Sequence, residues 1–325
     1  MTDKLKREIE KFGKICCKSQ MELKAYLHSV LASNGYKVIS DDGFLYAKGE
    51  LPFLVTAHMD TVHIFQCERY SVHKYKGKHR IQSSVGIGGD DRCGIYMIVR
   101  MILDGYRPSV LFCEDEEIGS VGARKFIKTK FIKELESLNY LIELDRANAK
   151  DIVFYDCDNP EFTKYIQENT GFKEAQGSWT DIVELSDACG VASVNFSCGY
   201  YNAHTTKEYV IFEEMQNTIA VVEKLLRDTE CGQFEFIEKV KYFGGYSNSL
   251  KDYYKYGYAD DWYGGYDYSE DDICGMEIHY NDYTQGTAEE QIVWMSGTSV
   301  EECMYTFFRQ FPDVCFNDII ERIVV

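Results

Sequence analysis

The sequence predicts an α/β fold. We expect a three-layer sandwich, with a mixed, mostly parallel central sheet flanked by helices, and a small C-terminal α+β module of ββα type. Three observations point there. Short apolar runs alternate with longer segments whose apolar residues recur at helical spacing. Two of the runs, PFLVTAH (52–58) and SVLFCEDEE (109–117), are almost continuously apolar until they end in histidine or acids, as strands buried on both faces do. The chain has 325 residues, 45% of them hydrophobic, enough for one substantial core and a smaller unit.

The elements follow in order. Residues 4–35 read as one or two helices, the second capped by Ser19 and ended by Gly35. YKVISDD (36–42) and GFLYAKG (43–49) read as a hairpin, and PFLVTAH as a buried strand. DRCGIYMIVRMILDG (91–105) is helical, and SVLFCEDEE is a second buried strand. VGARKFIKTKFIKEL (121–135) is helical. YLIELDRAN (140–148) and DIVFYDC (151–157) are strands, and PEFTKYIQENTG (160–171) is a helix. VASVNFSCG (191–199) is a strand, and the segment 211–229 is a long amphipathic helix. Such alternation builds an α/β sheet covered on both faces, with sites in the crevice beyond the strand C-termini.

Composition shifts late in the chain. Residues 1–235 form the α/β domain. Residues 236–272 are rich in Tyr, Gly and Asp, with no clear period, and read as a linker. Residues 273–325 read as the tail module: strands CGMEIHY and EEQIVWMSG, then a helix at 298–311 begun by Ser299 and Glu302. Residues 241–325 hold 16 acids against 5 bases, so much of the charge imbalance lies here.

The formal net charge of −18 repels phosphates, which argues against nucleic acid and anionic membranes as partners. No stretch reads as a signal peptide or a membrane span, so a soluble, cytoplasmic protein is expected. The twelve cysteines contain no Cys-x-x-Cys pair, which disfavours thiolate zinc sites and suits buried small hydrophobes.

The chemistry gathers at the predicted strand ends. In chain order the polar groups are His58, Asp60, Asp90, Glu116, Glu117, Asp145 and His204. Two imidazoles and several carboxylates are a ligand set for zinc, with Co2+ or Mn2+ as substitutes. Alone, His-Met-Asp or Glu-Asp-Glu-Glu says little, since acidic runs are commonly solvated faces. GIGGDDRCG is more telling, because its glycines permit tight turning immediately before two acids. Order and placement after apolar strands make the combination informative.

TAHMDTV, GIGGDDRCGIYMIV, CEDEEIGSVGA, ELDRAN and NFSCGYYNAHTTKEYV together resemble the metal-site segments of the co-catalytic zinc peptidases of the M28, M20 and M42 groups. The resemblance covers about residues 50–225. It implies two Zn2+ ions: one on His58 and Asp145, the other on Glu117 and His204, with Asp90 bridging them. It implies Glu116 as general base towards a metal-activated water, and Asp60 as the residue orienting the His58 imidazole. The intervals from His58 to Asp90 and from Asp145 to His204 are too short for an inserted domain, so a compact M28-like enzyme without a lid is the best match.

The implied activity is an aminopeptidase acting on peptide N-termini, with a peptide or small amide as substrate. Two alternatives stay open: an N-acyl-amino-acid amidohydrolase on the same site, and a catalytically silent peptidase-like binding protein. The missing lid leaves a monomer as the simplest assembly. Several neighbours get plainer readings. His63, His73 and His79 read as loop residues, and Asp91 as a helix cap or salt-bridge partner. Glu114 and Asp115 read as outer acids, Asp187 as an acid near the pocket, and Tyr200 and Tyr201 as cleft walls.

Overall fold

The computed structural model describes residues 2–177, 179–239, 274–282, 289–297 and 319–324. Most of the expected linker, from residue 240 on, and the expected tail helix at 298–311 lie outside the described residues. The chain divides into two compact units, Met1–Lys241 and Tyr242–Val325.

The first unit begins with helices α1 (Asp3–Cys16) and α2 (Gln20–Ser33). Ser19 and Glu22 cap α2 reciprocally, each side chain accepting from the other's backbone N–H. Strands β1 (Val38–Asp41) and β2 (Phe44–Ala47) form the expected hairpin. Then come β3 (Leu51–His58), β4 (Ser71–Tyr75), β5 (Lys78–Gln82), α3 (Gly89–Leu103), β6 (Pro108–Cys113) and α4 (Val121–Phe126). These are followed by β7 (Tyr140–Arg146), β8 (Asp151–Val153), α5 (Pro160–Thr170), β9 (Lys173–Glu174) and α6 (Asp181–Cys189). The unit ends with β10 (Ser193–Ser197), β11 (Tyr200–Tyr201), β12 (Tyr209–Ile211) and α7 (Phe212–Leu226).

Eight strands make the main sheet, in the order β1-β2-β6-β3-β7-β10-β8-β9. Its centre, β6-β3-β7-β10, is parallel throughout, while the β1-β2-β6 flank and the β10-β8 pair are antiparallel. Side chains alternate between two cores, as the pleat requires. Phe53, Val55 and Ala57 of β3, with Tyr140, Ile142 and Leu144 of β7, join the larger core with residues of α1, α2, α3, α5 and α7. Leu54, Leu111 and Leu141 face the other way, into a second core with α4 and α6. Both faces are therefore covered, and the three-layer expectation holds.

A second sheet, β11-β12-β5-β4, was not expected. It takes His73 and His79 out of the loop they were assigned to and places them on β4 and β5. The β4–β5 turn is Lys76-Gly77, both at positive φ (48° and 83°), as a twisted two-residue hairpin turn demands. Lysine at the first turn position hid that signal. The stretch 121–135 is also less regular than expected: α4 stops at Phe126, and only a short 3-10 turn (Lys130–Glu134) follows.

In the second unit, β13 (Cys274–Asp282) pairs antiparallel with β14 (Glu289–Gly297) on one edge and with β15 (Ile319–Val324) on the other. No helix among the described residues is long and apolar enough to cross a membrane.

Candidate metal centre

Strands β6, β3 and β7 lie side by side and parallel, so their C-terminal ends open on one edge. His58 is the last residue of β3. Asp145 is near the end of β7, and Glu116 and Glu117 lie in the turn just after β6. Asp115 enters that turn at φ 60°. Asp90 comes from the start of α3, beside Gly88 at φ 67°, and the Asp90–Asp91 peptide is cis. His204, at φ 62°, comes from the loop between β11 and β12. Five segments far apart in sequence thus bring these side chains together.

Three overlapping groups have ligand atoms close enough to hold an ion: His58, Asp90 and Asp145; Asp90, Glu117 and His204; and His58, Glu116 and Glu117. Asp90 belongs to two of them. Its Oδ1 is 3.0 Å from Nε2 of His58, and its Oδ2 is 3.2 Å from Nε2 of His204. One carboxylate therefore turns one oxygen to each imidazole. Asp145 Oδ1 lies 3.5 Å from Nε2 of His58, and Glu117 Oε2 lies 3.2 Å from Nε2 of His204.

Asp60 sits behind His58. Its Oδ1 is 3.1 Å from Nδ1 of the ring, and its two oxygens accept the backbone N–H groups of Glu116 and Glu117, each at 3.0 Å. Asp91 is fully buried. It accepts the N–H of His58 and, in the helix-capping manner expected of it, the N–H of Gly94.

The electrostatics are those of acids crowded out of water. Burial, reinforced by the Asp90 carboxylate, pushes Asp145 up to about 7. Burial likewise raises Glu117, with Asp90 adding to it, and raises Glu116 well above the usual carboxylate range. Burial opposes charge on both histidines, but the acids outweigh it. Asp145 and Asp60 lift His58 well above its usual value, and Glu117 and Asp90 lift His204 to about 12. Asp90 stays low despite burial because both imidazoles bond to it.

Positive charge is what this pocket lacks. Glu117 Oε1 is buried without a hydrogen-bond partner, an orphan that a cation would satisfy. The donor set, imidazole nitrogens and carboxylate oxygens without thiolates, is of the kind that holds zinc, cobalt or manganese. The residues present fit such ions.

Sequence reasoning missed the layer beneath. Thr180 Oγ1 lies 3.0 Å from Glu143 Oε1 and 3.1 Å from Asp145 Oδ2. Asn195 Oδ1 accepts the N–H of Asp145, and the Tyr200 hydroxyl donates to its carbonyl. Tyr200 is thus a buried buttress and not an open wall, while Tyr201 bonds away to Glu214. Asp187 is exposed on α6; the buried acid of that helix is Asp181, at its first turn. Glu114 pairs with Lys24, and Asp115 accepts from Gln20. Glu208 is wholly buried and bonds His63. Its place four residues after a candidate ligand was its only cue in the sequence.

No protein-family model matches the sequence, and no curated protein sequence matches it. Solved structures do. The chain is similar to aminopeptidase PepT from Bacillus cereus, at 15% identity and TM-score 0.55, over 69% of this chain and 98% of that one. It is similar to a tripeptidase from Staphylococcus aureus, at 13% identity and TM-score 0.54, over 69% and 98%. It is also similar to an aminopeptidase from the archaeon Desulfurococcus kamchatkensis, at 13% identity and TM-score 0.54, over 70% and 95%. The first unit of this chain accordingly has the α/β fold found in these aminopeptidases.

Proposed function

We propose that the protein is a dinuclear metallohydrolase that cleaves amide bonds, and specifically a compact, M28-like aminopeptidase acting on peptide N-termini. The observation that carries this reading is the Asp90 carboxylate, which offers one oxygen beside His58 and the other beside His204. Two ions sharing one bridge need that arrangement. His58, Asp90 and Asp145 would hold one Zn2+, and Asp90, Glu117 and His204 the other. The fold shared with peptidases of low identity supports the substrate class, a peptide or small amide.

When bound, such ions polarise a carbonyl oxygen and acidify a water. The chain's own residues do the rest. Glu116 stands beside His58 and Glu117 but outside the two groups that share Asp90, so it is free to carry a proton. It takes one from the attacking water and hands it to the leaving amine. Asp60 holds His58 by Nδ1, which directs Nε2 towards the ion position. The β4–β5 hairpin is all the regular structure between β3 and α3, too little for a domain inserted between His58 and Asp90, which suits a compact enzyme.

The test is metal content together with turnover, on wild type and Glu116→Gln. Purified proteins would be measured by elemental analysis and then assayed on aminoacyl amides and N-acyl amino acids. The expected result is about two zinc ions in both proteins, with aminoacyl amides cleaved by wild type alone and a loss of roughly 10²–10⁴ in rate for the variant. Cleavage of N-acyl compounds only would move the substrate class. No stoichiometric metal after reconstitution would overturn the reading.

A further inference from the structure

Among the described residues, Glu208 is the fully buried carboxylate whose contacts join three of the ligand-bearing segments. Its side chain is 0% exposed. Oε2 lies 2.7 Å from Nε2 of His63 and accepts the N–H of Gly88 at 2.8 Å. Oε1 accepts the N–H of Asp90 at 3.1 Å. His63 belongs to the loop that leaves His58, Gly88 and Asp90 to the turn that presents the shared carboxylate, and Glu208 itself to the loop that presents His204.

A buried carboxylate is costly unless donors satisfy it, and here three do. Both oxygens of Glu208 are thus engaged by groups of the chain itself. Its neighbours are packed to suit: a Cβ added at Gly89 would sit 2.8 Å from Tyr200 Cβ and 2.9 Å from Val210 Cγ2. The turn therefore lies against β11 and β12 with no slack. His204 has fewer constraints. Its side chain is 49% exposed, and it sits at positive φ four residues before Glu208.

We infer that Glu208 is a positioning residue that sets the Asp90 backbone against the His204 loop, and that it thereby forms the cation position made by Asp90, Glu117 and His204. The inference rests on the dinuclear reading above. The other position shares Asp90, but it draws its two remaining ligands, His58 and Asp145, from two strands of the main sheet, which hold their places without Glu208. Losing Glu208 should therefore weaken one position much more than the other.

The experiment is a Zn2+ and Co2+ titration of the full chain, with stoichiometry, affinity and the Co2+ visible spectrum as readouts. Wild type should bind about two ions. Glu208→Ala should keep one near wild-type affinity and weaken the other by about 10–100-fold, the usual effect of removing a residue that supports ligands. It should resemble His204→Ala, and the double variant should lose little more than either single one. Glu208→Gln, which keeps one carbonyl oxygen for a backbone N–H, should fall between. If the alanine variant does not fold, the glutamine variant decides: selective weakening supports the assignment, and two unaltered positions overturn it. Equal weakening of both positions also overturns it, since a general loosening would do that. If wild type itself binds no ion, the dinuclear reading falls and takes this inference with it. If wild type binds two and the variants match it, only the role of Glu208 falls.

Discussion

Asp60 Oδ1 lies 3.1 Å from Nδ1 of His58, two residues away in the chain. The pair explains why a strand ends in His-Met-Asp: the histidine turns Nε2 inward while the aspartate holds the opposite nitrogen. Asp60 also accepts the N–H groups of Glu116 and Glu117, so it fixes the turn after β6 as well as the ring. Asp60→Ala should lower zinc affinity by about 10–100-fold. It should also destabilise the metal-free protein by about 1–3 kcal/mol, because two amides lose their acceptor. Chelator competition and urea unfolding would read the two effects. Unchanged affinity in a folded Asp60→Ala protein would remove Asp60 from the site.

Thr180 stands between buried Glu143 and part-buried Asp145, with Oγ1 near both carboxylates. It has a single proton to donate, and Glu143 Oε2 already has no partner. Thr180→Val keeps the shape and removes the hydroxyl. Metal affinity should fall by about tenfold, because Asp145 loses an orienting contact. The fold should survive, since Ile182 N–H still bonds Glu143. Isothermal titration with zinc checks this, and wild-type affinity would show that Asn195 and Tyr200 suffice to place Asp145.

Gly94 is required by close approach. A Cβ there would lie 2.0 Å from the Leu144 carbonyl oxygen and 2.6 Å from Asp91 Oδ2. The first contact is with backbone, which cannot swing aside. Gly94→Ala should therefore push α3 off β7 and cost about 2–3 kcal/mol or more. Metal binding should fall with it, since Asp90 and Asp145 sit on the two elements being parted. A variant with unchanged urea midpoint and metal content would contradict this packing.

Much of this was legible in the sequence because two periodicities carry it. Continuous apolar runs marked β3 and β6, and the acids or histidine closing them marked the sheet's C-terminal edge. His58, Asp60, Glu116, Glu117 and Asp145 stand at the ends of such runs and Asp90 follows a glycine-rich turn, whereas His204 was picked out by the resemblance of its segment to a metal-site segment. The second sheet was hidden, since β4 is largely exposed and its turn begins with lysine rather than asparagine. Glu208 and Thr180 were hidden for another reason. Their importance lies in contacts with residues tens of positions away, and burial of a lone polar residue leaves no periodic trace. Asp187 was the acid of α6 singled out in the sequence, but the helix turns Asp181 inward and leaves Asp187 exposed.

The metal-free protein should be more stable at pH 5 than at pH 8, the reverse of ordinary acid denaturation. Burial raises Asp145 and Asp181 to about 7. An unfolded chain ionises such groups near pH 4 and the folded chain only near pH 7, so stability drains away across that window. The histidines add to the trend. Burial works against their charge, but Asp145 and Asp60 raise His58, and Glu117 and Asp90 raise His204. A raised histidine stabilises fully below the unfolded value near 6.5, and that stability is lost as pH climbs towards its folded value. Asp60 and Asp90 are lowered, by His58 and by both imidazoles against the effect of burial, so they act with the opposite sign. Their window lies below about pH 4 and leaves the range from 5 to 8 untouched. Cations require the same carboxylates ionised and the same imidazoles neutral, so zinc should stabilise most where the empty protein is weakest. Thermal melts with chelator and with zinc, at each pH from 5 to 8, should therefore diverge as pH rises. Parallel curves would mean that these acids and imidazoles do not form the cation site.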